Sequence, residues 1–322
     1  MSQRKVVVVT GGTAGVGRAV VREFAAHGYD VAVLARGRAG LEAAVKDVEN
    51  AGGRGLAVPT DVSSLDEVRA AAARVERELG PIDTWVNNAF VGALRFFWDT
   101  DDAGFRRITD VTYMGFVNGT RVALEHMRPR NRGSIVQVSS ALAFRGIPLQ
   151  SAYCGAKHAA KGFTESVIAE LKHDKSAIHL GMIELPGVNT PQFDWNDNAF
   201  DRHPMPVPPI YQPEVPARAI RFLAEHRRRN MWVGTPTAKT ILGNRVVPWF
   251  VDRYLGRKGV DGQLSPKDGP RYGANAFEPR DEETDVGVHG MFDDQARAHD
   301  MWSWASMHLV RKPSWSRKRS WG

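Results

Sequence analysis

The sequence has a single cysteine, Cys154, among its 322 residues. One cysteine cannot form an internal disulfide, and it excludes a structural zinc site built on several thiolates. Long apolar runs are also missing: no stretch approaches the roughly 20 residues needed to span a bilayer. We therefore predict a cytoplasmic protein, in a reducing compartment, without a signal peptide or a transmembrane helix.

Acidic residues are missing from the end of the chain, where none follows Asp300. The same stretch contains the basic residues Arg311, Lys312, Arg317, Lys318 and Arg319, which account for much of the formal net charge of +7. The remaining arginines are scattered and form no basic stripe, so we expect no nucleic-acid partner. Tryptophans among these charges suit a weak contact with an anionic membrane surface, whereas a solvated tail is the simpler interpretation.

Short β-branched runs alternate with longer helical stretches between residues 5 and 185. This alternation is typical of βαβ units that wind into a parallel sheet. The predicted strands are apolar throughout, as expected for strands covered by helices on both faces, and lie at residues 5–10, 30–35, 54–59, 82–87, 133–139 and 177–185. The predicted fold class is α/β, a doubly wound parallel sheet of the Rossmann type, in a single main domain with a C-terminal extension.

A helix is predicted over residues 64–79, where apolar residues recur at helical spacing. Ser64 stands at the N-cap position, and Glu67 follows three residues later. This pair has the pattern of a capping box, in which each side chain bonds the other residue's amide.

The main domain is predicted to span residues 1–256, and the extension residues 257–322. A proline-rich segment at about 188–216 has no clear period and is predicted to be the substrate loop. Long loops of this kind are commonly lids or binding loops. A packed lid is favoured by its large aromatic residues, namely Phe193, Trp195 and Phe200.

Beyond this loop we predict a helix over 214–227, a short strand over 231–234 and an apolar segment over 240–255. That apolar segment suits a substrate rim, an oligomer contact or an interfacial patch. Residues 257–290 have little to bury and are predicted to be a linker. A docking helix is expected within 293–310, on the apolar residues Met301, Trp304, Ala305 and Leu309, before the basic tail.

The segment Thr10-Gly11-Gly12-Thr13-Ala14-Gly15-Val16-Gly17 follows the first strand directly and opens a helix. Glycines at 11, 15 and 17 allow a sharp turn and a close approach to a pyrophosphate, which is attracted by the helix N-terminus. A tight turn without a ligand is the alternative. The position after the first strand favours dinucleotide binding.

Arg36 and Arg38 follow the second strand, where an NAD-specific site has an acid facing the ribose hydroxyls. An arginine there pairs with a 2′-phosphate, which an acid repels. NADP is therefore predicted in preference to NAD. The alternative is that Arg36 only caps a surface loop.

Tyr153-Cys154-Gly155-Ala156-Lys157 resembles the active-site segment of the short-chain dehydrogenase/reductase family, and the match is expected to cover residues 5–235. The other family motifs occur in the expected order: the glycine-rich turn with Thr10 and Val16, the adenine-contacting pair Asp61 and Val62, Asn88 and Ala89 after the fourth strand, Ser140, and the nicotinamide-flanking turn with Pro186, Gly187, Val188 and Thr190. The resemblance implies that these residues bind the cofactor, and that the protein is a homo-oligomer.

The three predicted catalytic side chains suit proton transfer to a carbonyl. Tyr153 would act as general acid in reduction and as general base in oxidation. Lys157 lies one helical turn further on, so its ammonium is expected to favour the phenolate. Ser140 would hold the carbonyl oxygen where negative charge develops. By resemblance, Lys157 also bonds the nicotinamide ribose.

Two positions depart from the family pattern. Thr112 replaces a catalytic asparagine whose main-chain carbonyl helps to hold a water of the proton relay in the family. Asn118 cannot substitute, because six residues rotate it about 240° around a helix. We expect the Thr112 hydroxyl to bond back along its helix and bend it. Phe90 replaces a common glycine and is expected to narrow the cofactor cleft.

These observations predict an oxidoreductase that transfers a hydride between NADP(H) and a hydrophobic secondary alcohol or ketone. One alternative is a catalytically weakened dinucleotide-binding regulator or scaffold on the same fold. Another is a peripheral membrane-associated reductase acting on a lipid-like substrate. No metal is predicted, since the histidines have no ligand partners at metal spacing.

Overall fold

A computed structural model of the chain describes residues 4–269 and 275–309. Its core is a seven-stranded sheet, and every neighbouring pair of strands is parallel. The strands are β1 (Val6–Thr10), β2 (Asp30–Ala35), β3 (Gly55–Pro59), β4 (Ile82–Asn87), β5 (Ser134–Ser140), β6 (His179–Leu185) and β7 (Asn230–Trp232). Their order across the sheet is β7-β6-β5-β4-β1-β2-β3.

Helices cover both faces of this sheet. They are α1 (Gly15–Ala26), α2 (Arg38–Asn50), α3 (Leu65–Glu78), α4 (Asp102–Thr109), α5 (Gly115–Met127), α6 (Ser151–His173), α7 (Gln192–Trp195), α8 (Glu214–His226), α9 (Thr235–Val246), α10 (Pro248–Lys258) and α11 (Met301–His308). One core layer packs β1 residues Val7 and Val9 against α1, α2 and α8. The opposite layer packs Val6 and Val8 with α3, α5 and α6.

Neighbouring strands β1 and β4 lead into helices on opposite faces of the sheet. Their carboxyl ends therefore diverge into a crevice, which is where open α/β sheets bind ligands. The predicted fold class, a doubly wound parallel sheet, is confirmed. The predicted strands are found with small shifts at their ends. The largest are two residues: β6 begins at His179 rather than at residue 177, and β7 ends at Trp232 rather than at residue 234.

Helix α3 begins after Ser64, whose hydroxyl accepts a hydrogen bond from the Glu67 amide at 3.3 Å. The second hydrogen bond of the predicted capping box, from the Ser64 amide to the Glu67 carboxylate, is replaced by another. The Glu67 carboxylate accepts from the Asp61 amide at 2.8 Å, so it ties the start of α3 to the end of the β3 loop.

The proline-rich segment 188–216 is packed, in agreement with the expected lid. It contains α7 and three short strands, Asp197–Asn198, Arg202–Pro204 and Ile210–Tyr211. Phe193 is buried against Phe292 from the C-terminal extension. The apolar segment that follows folds as helices α9 and α10, and no residue of α10 is buried.

The C-terminal extension packs on the main domain. The strand Leu264–Asp268 pairs antiparallel with Arg202–Pro204, and Ala296–Arg297 pairs parallel with Ile210–Tyr211. The prediction that residues 257–290 have little to bury is wrong, because Ala276, Asp281 and Val288 are buried there.

The expected docking helix forms as α11, but the predicted docking residues Met301, Trp304 and Leu309 are exposed. The helix contacts the main domain instead through buried Ser303 and through Met307, which packs on the core layer of α8. The predicted basic tail, residues 311–322, lies outside the described residues. Within the described ranges, no helix is long and apolar enough to cross a membrane.

Candidate active site

The loop after β4 supports the glycine-rich turn after β1. The Thr10 hydroxyl accepts hydrogen bonds from the Asn88 amide at 2.9 Å and from the Ala89 amide at 3.1 Å. The Asn88 side chain donates to the carbonyls of Thr10 and Gly11 at 3.0 and 3.1 Å. Gly17 must be glycine, because a Cβ there would overlap the Gly11 carbonyl. The turn is therefore built before any ligand binds.

A cleft of about 780 Å³ opens at the carboxyl edge of the sheet. Most of the predicted site residues line it, namely Gly11, Gly15, Val16, Gly17, Arg36, Asp61, Val62, Asn88, Ala89, Ser140, Tyr153, Lys157, Pro186, Gly187, Val188 and Thr190. Thr10 and Thr112 lie behind its wall. The structure thus brings together residues separated by up to 179 positions in the sequence.

The cleft fits a dinucleotide on two observations. The first turn of α1 has no side-chain cap, so the amides that follow Gly15 can bind a pyrophosphate, whereas the Gly15 amide itself donates to the Gly287 carbonyl. Gly15, at a φ of +52°, lies against Thr190 on the opposite wall. In the part of the chain that the structure describes, the buried Thr190 hydroxyl has no hydrogen-bond partner, so it is available to form a hydrogen bond with a bound ligand.

Tyr153 and Ser140 both line this cleft and contact each other. Burial raises the pKa of the Tyr153 phenol above its ordinary value, and the hydrogen bond with the Ser140 hydroxyl opposes this rise. Ser140 Oγ also accepts from the Leu142 amide at 3.1 Å. That bond fixes the serine at the start of the turn after β5, where it faces the tyrosine.

Lys157 is buried beneath Tyr153. Its Nζ donates to the Val138 carbonyl at 2.9 Å and lies 4.4 Å from the centre of the Phe116 ring and 5.6 Å from that of Tyr153. Burial lowers the pKa of Lys157 to about 7. The expected lowering of the Tyr153 pKa by the Lys157 ammonium is therefore not seen: burial raises this pKa, and the contact that opposes the rise is with Ser140.

Thr112 lies in a π-helical turn, Asp110–Met114, between α4 and α5. The prediction that its hydroxyl bonds back along the helix is wrong. Thr112 Oγ1 instead donates to the Val91 carbonyl at 3.0 Å and accepts from the Val91 amide at 3.2 Å. Asn118 donates elsewhere, to the carbonyls of Val62 and Ser63, so it does not replace the family asparagine.

Phe90 was expected to narrow the cofactor cleft, and its ring lines that cleft. It packs edge-on against Tyr153 with 5.6 Å between the ring centres, and Lys157 Nζ lies 5.6 Å from the Phe90 ring centre. The phenylalanine thus contributes to the apolar surroundings of both catalytic candidates.

Asp61, predicted to contact adenine, is bound to Arg107. The carboxylate and the guanidinium are 2.5 Å apart, and Arg107 also donates to Ser63 at 2.8 Å. Burial alone would raise the pKa of Asp61, but hydrogen bonds from Arg107 and Ser63 lower it below its ordinary value. Asp61 is therefore an ionised member of the cleft wall.

Arg36 has a partner that the sequence did not indicate. Its guanidinium donates to the backbone carbonyls of Ala276 and Phe277 at 3.1 and 3.0 Å, and also to that of Asn275. Arg36 is thus neither a free phosphate ligand nor a surface cap. The composition of residues 257–290 gave no signal of this contact, because backbone carbonyls carry no side-chain signature.

Comparison with known proteins identifies the family. The model of the short chain dehydrogenase family matches residues 5–199. The chain belongs to this family. The resemblance predicted from the Tyr153 and Lys157 segment is therefore confirmed, and so is an oxidoreductase of a family that binds NAD or NADP.

Individual relatives share this core. The chain is 31% identical over 253 residues to Uncharacterized oxidoreductase YxnA of Bacillus subtilis (strain 168), covering 78% of this chain and 71% of that protein. It is 35% identical over 167 residues to a 3beta-hydroxysteroid dehydrogenase of Mediterraneibacter gnavus, covering 52% and 60%. It is 28% identical over 222 residues to Carbonyl reductase family member 4 of Xenopus laevis, covering 69% and 91%.

Proposed function

We propose that the protein interconverts a hydrophobic secondary alcohol and the corresponding ketone with NADP(H). The observation that carries this proposal is the hydrogen-bonded pair of Tyr153 and Ser140 directly above buried Lys157, at the carboxyl edge of a dinucleotide-type sheet. These residues supply the acid, the oxygen anchor and the positioning amine that carbonyl reduction requires.

In reduction, Tyr153 donates its phenolic proton to the carbonyl oxygen as charge builds there, and in oxidation it accepts that proton. Ser140 holds the same oxygen and stabilises the developing alkoxide. Lys157, with a pKa of about 7, exchanges a proton readily at neutral pH. NADP(H), when bound, supplies or accepts the hydride.

The preference for NADP rests on the end of β2, which has no acid and is followed by Arg36 and Arg38. Arg36 lines the cleft, and a 2′-phosphate that displaces the carbonyls bonded to its guanidinium would pair with it. Titration of the purified protein with NADPH and NADH, followed through the reduced nicotinamide fluorescence, tests this preference. Tighter binding of NADPH supports it, and equal or tighter binding of NADH contradicts it.

A hydrophobic substrate is favoured by the apolar side chains that line the cleft together with Tyr153. They include Phe193, Trp195, Met205, Val207 and Leu255. A small number of polar groups on an apolar wall is typical of sites for apolar ligands. Turnover with bulky hydrophobic ketones, and a much lower rate with small polar ones, is the expected result of a substrate screen. The reverse order would contradict the proposal.

A second candidate, a reductase that works at a membrane surface, is favoured by the hairpin of α9 and α10. In these two helices, 76% of Val246, 68% of Trp249 and 54% of Phe250 are exposed. The same helices carry the basic residues Lys239, Arg245, Arg253, Arg257 and Lys258, of which Lys239 and Lys258 line the cleft. Apolar rings among cationic side chains suit the interface of an anionic bilayer.

The same hairpin contributes Val251 and Leu255 to the cleft, so a lipid-like substrate would have a short path from bilayer to Tyr153. Co-sedimentation with phosphatidylglycerol vesicles tests this candidate, with phosphatidylcholine vesicles as the neutral comparison. The expected result is binding to the anionic vesicles that the Trp249→Ser/Phe250→Ser double variant loses. Failure of the unmodified protein to sediment with either vesicle would rule the candidate out.

Thr112 replaces the family asparagine, but its hydroxyl makes two hydrogen bonds with the backbone of Val91, so the helix turn at this position remains ordered. This favours an active enzyme over a catalytically weakened regulator. The homo-oligomer, the cytoplasmic location and the absence of a nucleic-acid partner stay predictions.

A further inference from the structure

Residues 275–293, here called the strap, cross the cofactor cleft from one wall to the other. At the adenosine end, strap carbonyls accept from Arg36 and from Arg107, the latter at 2.8 Å from Ala276. At the other end, the Phe292 amide donates to Asn189 Oδ1 at 3.0 Å. The strap is thus part of the cleft wall.

The middle of the strap bonds the starts of the two helices that face the cofactor. The Gly15 amide, at the start of α1, donates to the Gly287 carbonyl at 3.1 Å. The Gly40 and Ala39 amides, at the start of α2, donate to the carbonyls of Asp281 and Glu282 at 3.0 and 3.2 Å. The strap oxygens therefore occupy amides at two helix N-termini, which are natural anion sites.

Asp281 is a buried acidic residue of the strap. It is only 5% exposed, and it is one of the residues that line the cleft. Its carboxylate lies against Gly37 and Gly40, and a Cβ on either glycine would overlap it. Because these two glycines have no side chain, they leave space for the Asp281 carboxylate. Gly37 is the sequence neighbour of Arg36, the residue that follows β2.

This arrangement places an acid where the sequence of β2 lacks one. A carboxylate at the end of β2 accepts a hydrogen bond from the ribose 2′-hydroxyl of NAD and repels the 2′-phosphate of NADP. The strap carbonyls add to this effect, because they occupy the guanidinium that would pair with the phosphate. A 2′-phosphate has to replace these oxygens on Arg36, whereas a 2′-hydroxyl does not.

We propose that Asp281, held by the strap against Gly37, repels the 2′-phosphate while the strap carbonyls compete with it for Arg36, and that Asp281 so sets the discrimination between NADP(H) and NAD(H). This inference rests on the proposed function in one respect, that a nicotinamide dinucleotide occupies the cleft. It adds a residue outside the region matched by the family model, 82 positions beyond its end.

The test compares dissociation constants of NADPH and NADH for the full chain and for the Asp281→Asn variant. Loss of the charge is expected to tighten NADPH binding about tenfold, equivalent to about 1.4 kcal/mol, and to change NADH binding about twofold or less. Glu283→Gln is the matched control, since it removes the same charge from an exposed strap position. It is expected to leave both constants unchanged.

An unchanged ratio of the two constants in Asp281→Asn, or the same change in Glu283→Gln, would overturn the inference. Absence of binding of either nucleotide by all three proteins would instead refute the proposed function. These two failures are therefore distinguishable.

Hydrogen–deuterium exchange gives a readout that does not depend on the variant's folding. In the unmodified protein, the amides of Ala39 and Gly40 are bonded to strap carbonyls. If a 2′-phosphate displaces these carbonyls, the peptide containing both amides exchanges faster with saturating NADPH than with saturating NADH. Equal exchange with both nucleotides, or slower exchange with NADPH, would show that the strap does not yield to the phosphate and would overturn the inference.

Discussion

Thr112 holds Val91 by both backbone groups, donating to its carbonyl and accepting from its amide through a single hydroxyl. The two residues are fully or nearly fully buried. Val91 follows the loop that supports the glycine-rich turn, so this pair connects the π turn before α5 to the cofactor side of the cleft.

Replacement of Thr112 by valine should remove both hydrogen bonds with little change in volume. The buried amide and carbonyl of Val91 would lose their partner, which costs about 1–3 kcal/mol for each unsatisfied group. Urea denaturation should show this loss. Thr112→Ser retains the hydroxyl and is expected to lose far less; a serine variant as unstable as the valine one would show that the hydroxyl is not what matters.

The Tyr153→Phe substitution should lower kcat by about 10²–10⁴-fold, the usual contribution of a general acid or base. Binding of the reduced cofactor, measured by fluorescence, should change little. Tyr113→Phe provides the control, because Tyr113 packs against Phe163 and does not line the cleft. A Tyr153→Phe enzyme within about tenfold of the normal rate would refute the assigned role.

Burial of Lys157 should make stability depend on pH above neutrality. Its pKa is lowered to about 7 by burial in the folded protein, against about 10.4 in an unfolded chain. Between these values the unfolded state binds more protons, so the lysine's contribution to the free energy of unfolding rises with pH, by at most about 1.4 kcal/mol per pH unit. Chemical denaturation between pH 7 and 9 measures this slope.

The Lys157→Met variant should lack that part of the slope, whereas Lys172→Met, at an exposed position of the same helix, should keep it. Identical slopes in both variants would contradict the assignment.

Glu184 should have the opposite effect on stability. It is fully buried on β6 next to Ser139 of β5, and Asn230 donates to its Oε1 at 3.3 Å. Burial raises its pKa to about 8, so the folded state retains a proton that the unfolded chain releases above about 4.3. The protonated carboxyl's contribution is complete below that value and is lost as pH rises through 8.

Glu184→Gln should therefore raise the free energy of unfolding at pH 8 relative to the unmodified protein, by about 1–3 kcal/mol, and have little effect at pH 5. Exposed Glu170→Gln is the control. Equal effects at the two pH values would show that Glu184 is already ionised in the folded protein.

Features that depend on a local pattern of residues could be predicted from the sequence. The apolar strands and the glycine-rich turn after β1 follow from residue types within a few positions of one another, and the family motifs identified Ser140, Tyr153 and Lys157. The carboxyl ends of parallel strands then bring these residues to one edge. For this reason the fold agrees with prediction, and most of the predicted site residues line one cleft.

Contacts between distant backbone atoms could not be predicted. Arg36 is bonded to carbonyls that lie 239 to 241 positions away, and every residue type carries such a carbonyl. Thr112 could bond its own helix or Val91 with the same hydroxyl, and only the π turn decides between them. The pKa of Lys157 depends on burial by Phe116 and its neighbours, which no spacing in the sequence reveals.

Two of the three short strands of the substrate loop are paired with the C-terminal extension: Arg202–Pro204 with Leu264–Asp268, and Ile210–Tyr211 with Ala296–Arg297. Swinging this loop outward requires both ladders to separate, so loop and extension form one cooperative unit of local unfolding. Entry of a substrate by free outward movement of this loop alone is therefore disfavoured.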